Sequence, residues 1–215
     1  MLHPIRNIIQ GYKNKQRITH SIANRKDIIN TWIKNGKPTP TPHEVKQVAI
    51  EEYKNLYQCK CLVETGTYLG DMMEIQKNNF EQLYSIELSE MLYNRAIKRF
   101  KHDKNIHLFQ GDSGKVLFTL AEKLNDSTLF WLDGHYSAGF TAKGDKECPV
   151  IEELTAILAS HNCNKFTILI DDARCFNGEH DYPTIDEIKN LFNSNNKTYN
   201  IEIKDDIIRI TNISK

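Results

Sequence analysis

With 215 residues, 40% of them apolar and 26% charged, and a formal net charge of zero, the chain suits one compact domain with an appendage and excludes two full domains or a disordered polymer. No stretch reaches the uninterrupted apolar length of a membrane span, and the N-terminus lacks the apolar core and cleavage site of a secretion signal, so a cytoplasmic setting is expected. The five cysteines are odd in number and scattered, which argues against a disulfide framework.

Residues 1–44 read as a basic extension, helical or irregular, because nine Lys or Arg within residues 1–50 face only Asp27 and Glu44. Such a run is either a solvated arm or a contact for an anionic partner. It closes in the stiff connector KPTPTPHEV, where each proline fixes φ and turns its predecessor away from the helical region. Residues 45–215 then follow one rhythm. VKQVAIEEYKNLY carries a helical stripe of Val45, Val48, Ala49, Tyr53 and Leu56. The runs KCLVE, LYSIE, NIHLFQ, TLFWLD and FTILID are short and apolar, and each precedes a helical pattern, the first from about Asp71. Five strand-then-helix units predict an α/β fold, a parallel sheet with helices on both faces and the loops after the strands gathered on one edge. TYNIEIK and DIIRITNI break the rhythm and predict a terminal antiparallel pair that turns at Asp205 and Asp206.

Carboxylates stand at the ends of all five parallel strands: Glu64, Glu87, Asp112, Asp133, and the pair Asp171 and Asp172. Helix capping accounts for Asp71 or Asp112 taken singly, but five successive acidic strand ends point to a ligand site. The stretch ETGTYLG at 64–70 narrows the ligand. Gly66 and Gly70 permit a tight turn and close approach, yet Tyr68 stands where a dinucleotide-binding turn needs its middle glycine to admit a pyrophosphate. Glu87, at the end of the next strand, can hold both hydroxyls of a ribose. A cofactor with ribose and adenine but no pyrophosphate meets both conditions, and S-adenosylmethionine is such a cofactor.

In these residues the chain resembles the class I S-adenosylmethionine-dependent methyltransferases, over about residues 45–213. VETGTYLGD is similar to the family's first motif in its catechol-type and macrocin-type O-methyltransferases, SIELS to the second and FQGDSG to the third. The resemblance implies a Rossmann-like sheet of order 3-2-1-4-5-7-6 with the last strand antiparallel. It implies that Glu64, Gly66, Tyr68 and Gly70 line the methionine end of the cofactor, that Glu87 holds the ribose, and that Asp112 and Ser113 meet the adenine. In the metal-dependent macrocin type, an Asp after the fourth strand and an Asp-Asp pair after the fifth bind a divalent cation. By that resemblance Asp133, Asp171 and Asp172 are metal ligands, and Mg²⁺ is the ion suited to such oxygen-rich surroundings. The implied activity is Mg-assisted methyl transfer to a hydroxyl of a small acceptor, a sugar or sugar conjugate.

The chain departs from that pattern at His135, which stands where the family has a second Asp as its base. Histidine as a residue type titrates near neutrality, so His135 is read as the proton acceptor beside Asp133, with orientation of the metal shell as its alternative role. The polar segment that follows supplies Tyr136 and Lys143 as acceptor contacts, with Arg174 and His180 contributed from beyond the fifth strand. No GxxxxGK[ST] loop supports the competing phosphoryl-transfer enzyme, and a non-catalytic nucleoside-binding module is the other alternative. No nucleic-acid or membrane partner is expected, and self-association is left open.

Overall fold

The computed structural model describes residues 3–134, 148–194 and 198–213, with side chains in the first helix from Lys13 onward. That helix, α1, runs His3–Lys34 and is followed by α2, His43–Leu56. The alternating part comprises β1 (Cys61–Thr65), α3 (Asp71–Gln76), β2 (Gln82–Glu87), α4 (Glu90–Arg99), β3 (Ile106–Gln110) and α5 (Ser113–Lys123). It continues through β4 (Thr128–Leu132), α6 (Val150–Ala159), β5 (Phe166–Ile170) and α7 (Ile185–Asn193) to the hairpin β6 (Tyr199–Lys204) and β7 (Ile207–Asn212).

The strands form one seven-stranded sheet in the order β3-β2-β1-β4-β5-β7-β6. β1 to β5 are mutually parallel, whereas β7 runs antiparallel to both β5 and β6. This is the Rossmann-like arrangement that the resemblance implied, with the expected reversed hairpin. Its turn holds Asp205 and Asp206 at φ 56° and 60°, the left-handed pair that a two-residue hairpin loop requires.

β1, β4 and β5 are buried at every position, as central strands covered on both faces must be. Alternate residues feed opposite layers. Leu62, Leu129, Trp131 and Leu169 pack with Ile50 and Tyr53 of α2, Met73 of α3 and Ala96 of α4. Val63, Phe130, Ile168 and Ile170 pack with Leu117 of α5, Leu154 of α6 and Phe192 of α7. A one-residue slip in any of these strands would exchange the two sets, so side-chain period fixes the register. Fully burying one such side chain contributes about 1.5–3 kcal/mol.

Two features place the site. The stripe of α2 is Val45, Ala49, Ile50 and Tyr53, while Val48 and Leu56, predicted for the same stripe, are 37% and 66% exposed. At 100° per residue, positions 45, 49, 53 and 50 span an arc of about 140° and Val48 falls about 60° outside it, while Leu56 lies on the arc but is the last residue of the helix. That rotation aims the first turn of α2, with His43, Lys46 and Gln47, at the strand ends.

The second feature is α1, which docks across α2. Arg25 binds Glu51 at 2.8 and 2.9 Å and also donates to Gln47 Oε1, while Ser21 Oγ donates to Glu44 at 2.6 Å. Arg17 reaches Asp71 at the start of α3, where Arg99 of α4 donates to the same carboxylate at 2.8 Å. The Pro-rich connector is tied to the hairpin turn through Lys37 and Thr41, which bind Asp205. Among the described residues, no helix is long and apolar enough to cross a membrane.

Candidate functional site

The C-terminal ends of β1, β2 and β4 meet at the turn 64–70. Gly66 has φ +82°, and a Cβ there would lie 2.4 Å from the carbonyl oxygen of Asp133. Only glycine therefore lets the turn after β1 rest on the end of β4. Thr67 bonds Ser85 at 2.6 Å, and Gly70 donates to Thr67 O, closing the turn onto β2 and α3. Tyr68 stands at φ 47°, an uncommon conformation for a bulky residue. Its backbone N–H donates to Glu87 Oε2 at 2.8 Å, and Ser89 N–H donates to Glu87 Oε1 at 2.9 Å. One N–H on each oxygen fixes the carboxylate and leaves it further lone pairs for a ligand's hydroxyls.

Glu64 lies one strand away, 3% exposed, and accepts a bond from Ser85 Oγ at 2.6 Å. Burial pushes its carboxyl well above the ordinary carboxylate range, with the Ser85 bond opposing and Asp133 and Glu87 reinforcing. A buried acid of this kind gains most by meeting a cationic group. At the end of β3, Asp112 occupies the N-cap position of α5, makes no capping bond and lies 3.6 Å from the Lys115 ammonium of the same helix; Ser113 beside it is buried.

A cavity of about 420 Å³ opens between α1, the first turn of α2 and the turn after β1. Ile18, His43, Glu64, Tyr68, Trp131 and Asp133 are among its walls. His43 accepts from Gln47 Nε2 at 2.7 Å through Nδ1, because Gln47 Oε1 already receives Arg25. That chain places the imidazole proton on Nε2. Burial lowers the His43 pKa, against the pull of Asp71 and Glu44, so the ring is neutral in the folded protein.

Asp171 and Asp172 follow β5, and both are engaged. Asp171, wholly buried, accepts from Asp172 N–H at 2.9 Å through one oxygen and pairs with the Lys46 ammonium through the other. Lys46 also lies 3.7 Å from Asp172, which is held at φ 54° and bonded by Arg174 at 2.8 Å. Burial opposes the Lys46 charge, but the fields of Asp171, Asp133 and Asp172 outweigh it and raise its pKa. Burial likewise raises Asp171 to about 7, with Asp133 adding to the shift and Lys46 opposing it. The expected metal ligands are thus brought together around an ammonium. Among the described residues, no group of three or more His, Cys, Asp or Glu is arranged to hold a metal ion. Among the described residues, the carboxylates after β5 are matched by Lys46 and Arg174 and do not fit a resident Mg²⁺.

Of the residues expected to bind the cofactor, Glu64, Gly66 and Tyr68 line the cavity and suit an adenosyl cofactor, Gly66 as a cradle that a Cβ would fill and Glu64 as a buried acid, whereas Glu87, an anchored acceptor, stands outside the cavity wall with Asp112 and Ser113. Gly70 is outside the cavity wall, and a Cβ there would meet the Phe100 ring at 2.7 Å, so this glycine serves the packing of α3 on α4. Arg174 is bound by Asp172 and Asp206, joining the β5 loop to the hairpin. His180 is exposed in the loop before α7, and neither residue lines the cavity. His135, Tyr136 and Lys143 lie outside the described residues. Sequence reading missed Lys46, His43 and Arg17. The polar first turn of α2, HEVKQ, was the available signal for the first two.

Neither a family model nor a curated relative matches the sequence. Solved structures do match its fold. The SAH-bound methyltransferase PaMTH1 of Podospora anserina superposes with a TM-score of 0.57 at 14% identity, over 86% of this chain and 87% of that one. The O-methyltransferase TomG of Streptomyces achromogenes, solved with SAM, gives 0.53 at 12% over the same shares. An SAH-complexed O-methyltransferase of Bacillus cereus gives 0.51 at 10%, over 87% and 89%. The chain has the fold of the class I methyltransferases.

Proposed function

We propose that the chain is an S-adenosylmethionine-dependent O-methyltransferase of the cytoplasm, acting on a hydroxyl of a small acceptor, with a sugar or sugar conjugate as the acceptor class. The observation that carries this reading is the pairing of Glu64 and Glu87 on adjacent strand ends: a buried acid facing the cavity, and a second acid pinned by two backbone N–H groups. Glu87 would hold the ribose, Asp112 and Ser113 the adenine, and Glu64 with the Gly66 turn the methionine end. When bound, S-adenosylmethionine supplies an electrophilic methyl group on a sulfonium.

This chain's residues do the rest. α1 covers the cavity, with Ile18 and the Arg17–Asp71 pair at its wall, and so excludes water from the acceptor. His43, protonated at Nε2, donates to an oxygen in the cavity and orients it. Asp133, whose N–H is held by the Thr65 hydroxyl and carbonyl at 3.2 Å each, is fixed at the end of β4. With His135 two residues on, it takes up the proton that the acceptor hydroxyl releases. Magnesium is not part of the proposal, because Lys46 and Arg174 already match the carboxylates after β5.

The test is transfer of labelled methyl from S-adenosylmethionine to a panel of free sugars, nucleotide sugars and catechols. Labelled sugar product supports the proposal. Labelling of catechols alone would move the acceptor class, and cofactor binding with no transfer to any acceptor would leave a nucleoside-binding module.

A further inference from the structure

The two carboxylates after β5 face a cation that belongs to the chain. Asp171 is wholly buried, yet the amide of Asp172 and the ammonium of Lys46 satisfy both its oxygens. Among the described residues, Lys46 is the basic side chain paired with Asp171, and it comes from the first turn of α2, an element before the whole sheet. Its side chain is 15% exposed, so the ammonium is enclosed with its partners rather than lying on the surface. The same group lies 3.7 Å from Asp172, on whose other flank Arg174 bonds at 2.8 Å.

We propose that Lys46 is the resident cation of this centre, standing where a divalent metal would otherwise sit, so that the site works without one. A buried carboxylate must be paired with a positive group to stay ionised. A protein-borne ammonium meets that need at a fixed stoichiometry and is indifferent to chelators. Lys46 is a positioning residue: it holds the end of β5 against the first turn of α2, and thereby holds His43, one helical turn away, at the cavity wall. The inference does not depend on methyl transfer being the reaction, since its readout is metal binding.

The experiment titrates Mn²⁺ into the purified full chain and follows free Mn²⁺ by its paramagnetic resonance. The wild type should bind no stoichiometric Mn²⁺ at concentrations up to about a millimolar, the range of weak oxygen-ligand sites. Lys46→Met, which keeps the length of the side chain and removes its charge, should gain one Mn²⁺ per chain. Adding Asp171→Asn to that variant should abolish the gain. Lys46→Arg, which retains the charge, should bind none. One Mn²⁺ bound by the wild type and lost in Asp171→Asn would overturn the proposal, as would a folded Lys46→Met chain that gains no site. If Lys46→Met does not fold, the wild-type and Lys46→Arg titrations decide the question, because both must be silent. A loss of cofactor binding with these metal results intact would count against the methyltransferase reading alone.

Discussion

Replacing Glu87 with Ala removes the acceptor that the turn after β1 and the helix after β2 share. In the folded protein Glu87 is 5% exposed and takes one backbone N–H on each oxygen, from Tyr68 at 2.8 Å and Ser89 at 2.9 Å. Leaving two such donors without partners costs about 1–3 kcal/mol each, so the variant should be destabilised by about 2–6 kcal/mol. The ligand loses in addition one charged hydrogen bond from its ribose, about 1.5–3 kcal/mol, or roughly tenfold to a hundredfold in Kd. The assay is calorimetric titration with S-adenosylhomocysteine below the variant's unfolding transition, paired with urea denaturation. Glu87→Gln retains the shape and one acceptor oxygen, so it should fall between wild type and Glu87→Ala in both measurements. A folded Glu87→Ala that binds the nucleoside with wild-type affinity would refute the assignment of this strand end to the ribose.

Further outcomes follow from other contacts. Gly66→Ala must adopt φ +82° with its Cβ against the Asp133 carbonyl, so it should cost about 1–2 kcal/mol from conformation alone and more from the contact; a urea midpoint equal to wild type would contradict this. Arg25→Ala removes a two-pronged bond from α1 to α2, worth about 1–2 kcal/mol at a partly buried site, and should speed proteolytic cleavage within α1 by about 5- to 30-fold. An unchanged cleavage rate would mean that α1 is held by its apolar contacts. His43 has its pKa lowered by burial, so its contribution to stability is fully present above the unfolded value of about 6.5 and is lost as pH falls toward the depressed folded value. Denaturant midpoints of wild type should therefore drop between pH 6.5 and 5 by more than those of His43→Gln; parallel curves would show that His43 is not buried in its neutral form.

The sheet was legible because its central strands are short apolar runs buried on both faces, and each of the five parallel strands is followed by a helical pattern, capped at α4 by Ser89 and at α7 by Thr184 with Glu187. The turn after β1 was legible for a similar local reason, since Gly66 fills a conformation and a space that only glycine tolerates. What lay out of reach was tertiary. Lys46 is one of many lysines in a lysine-rich chain, and only the rotation of α2 brings it 125 positions along the sequence to Asp171. Asp133, Asp171 and Asp172 alone suggest a metal, whereas the structure pairs Asp171 with Lys46 and sets Asp172 between Lys46 and Arg174. Gly70 has the spacing of a ligand turn, but the ring that needs its missing Cβ, Phe100, belongs to the next helix.

The measurement that tests the central claim most directly is calorimetric titration of S-adenosylmethionine, and then S-adenosylhomocysteine, into the purified chain with and without Mg²⁺. The account predicts binding of both, one per chain, with affinities that Mg²⁺ does not change. No binding of either nucleoside under any condition would contradict it and detach the strand-end carboxylates from a methyl-donor site.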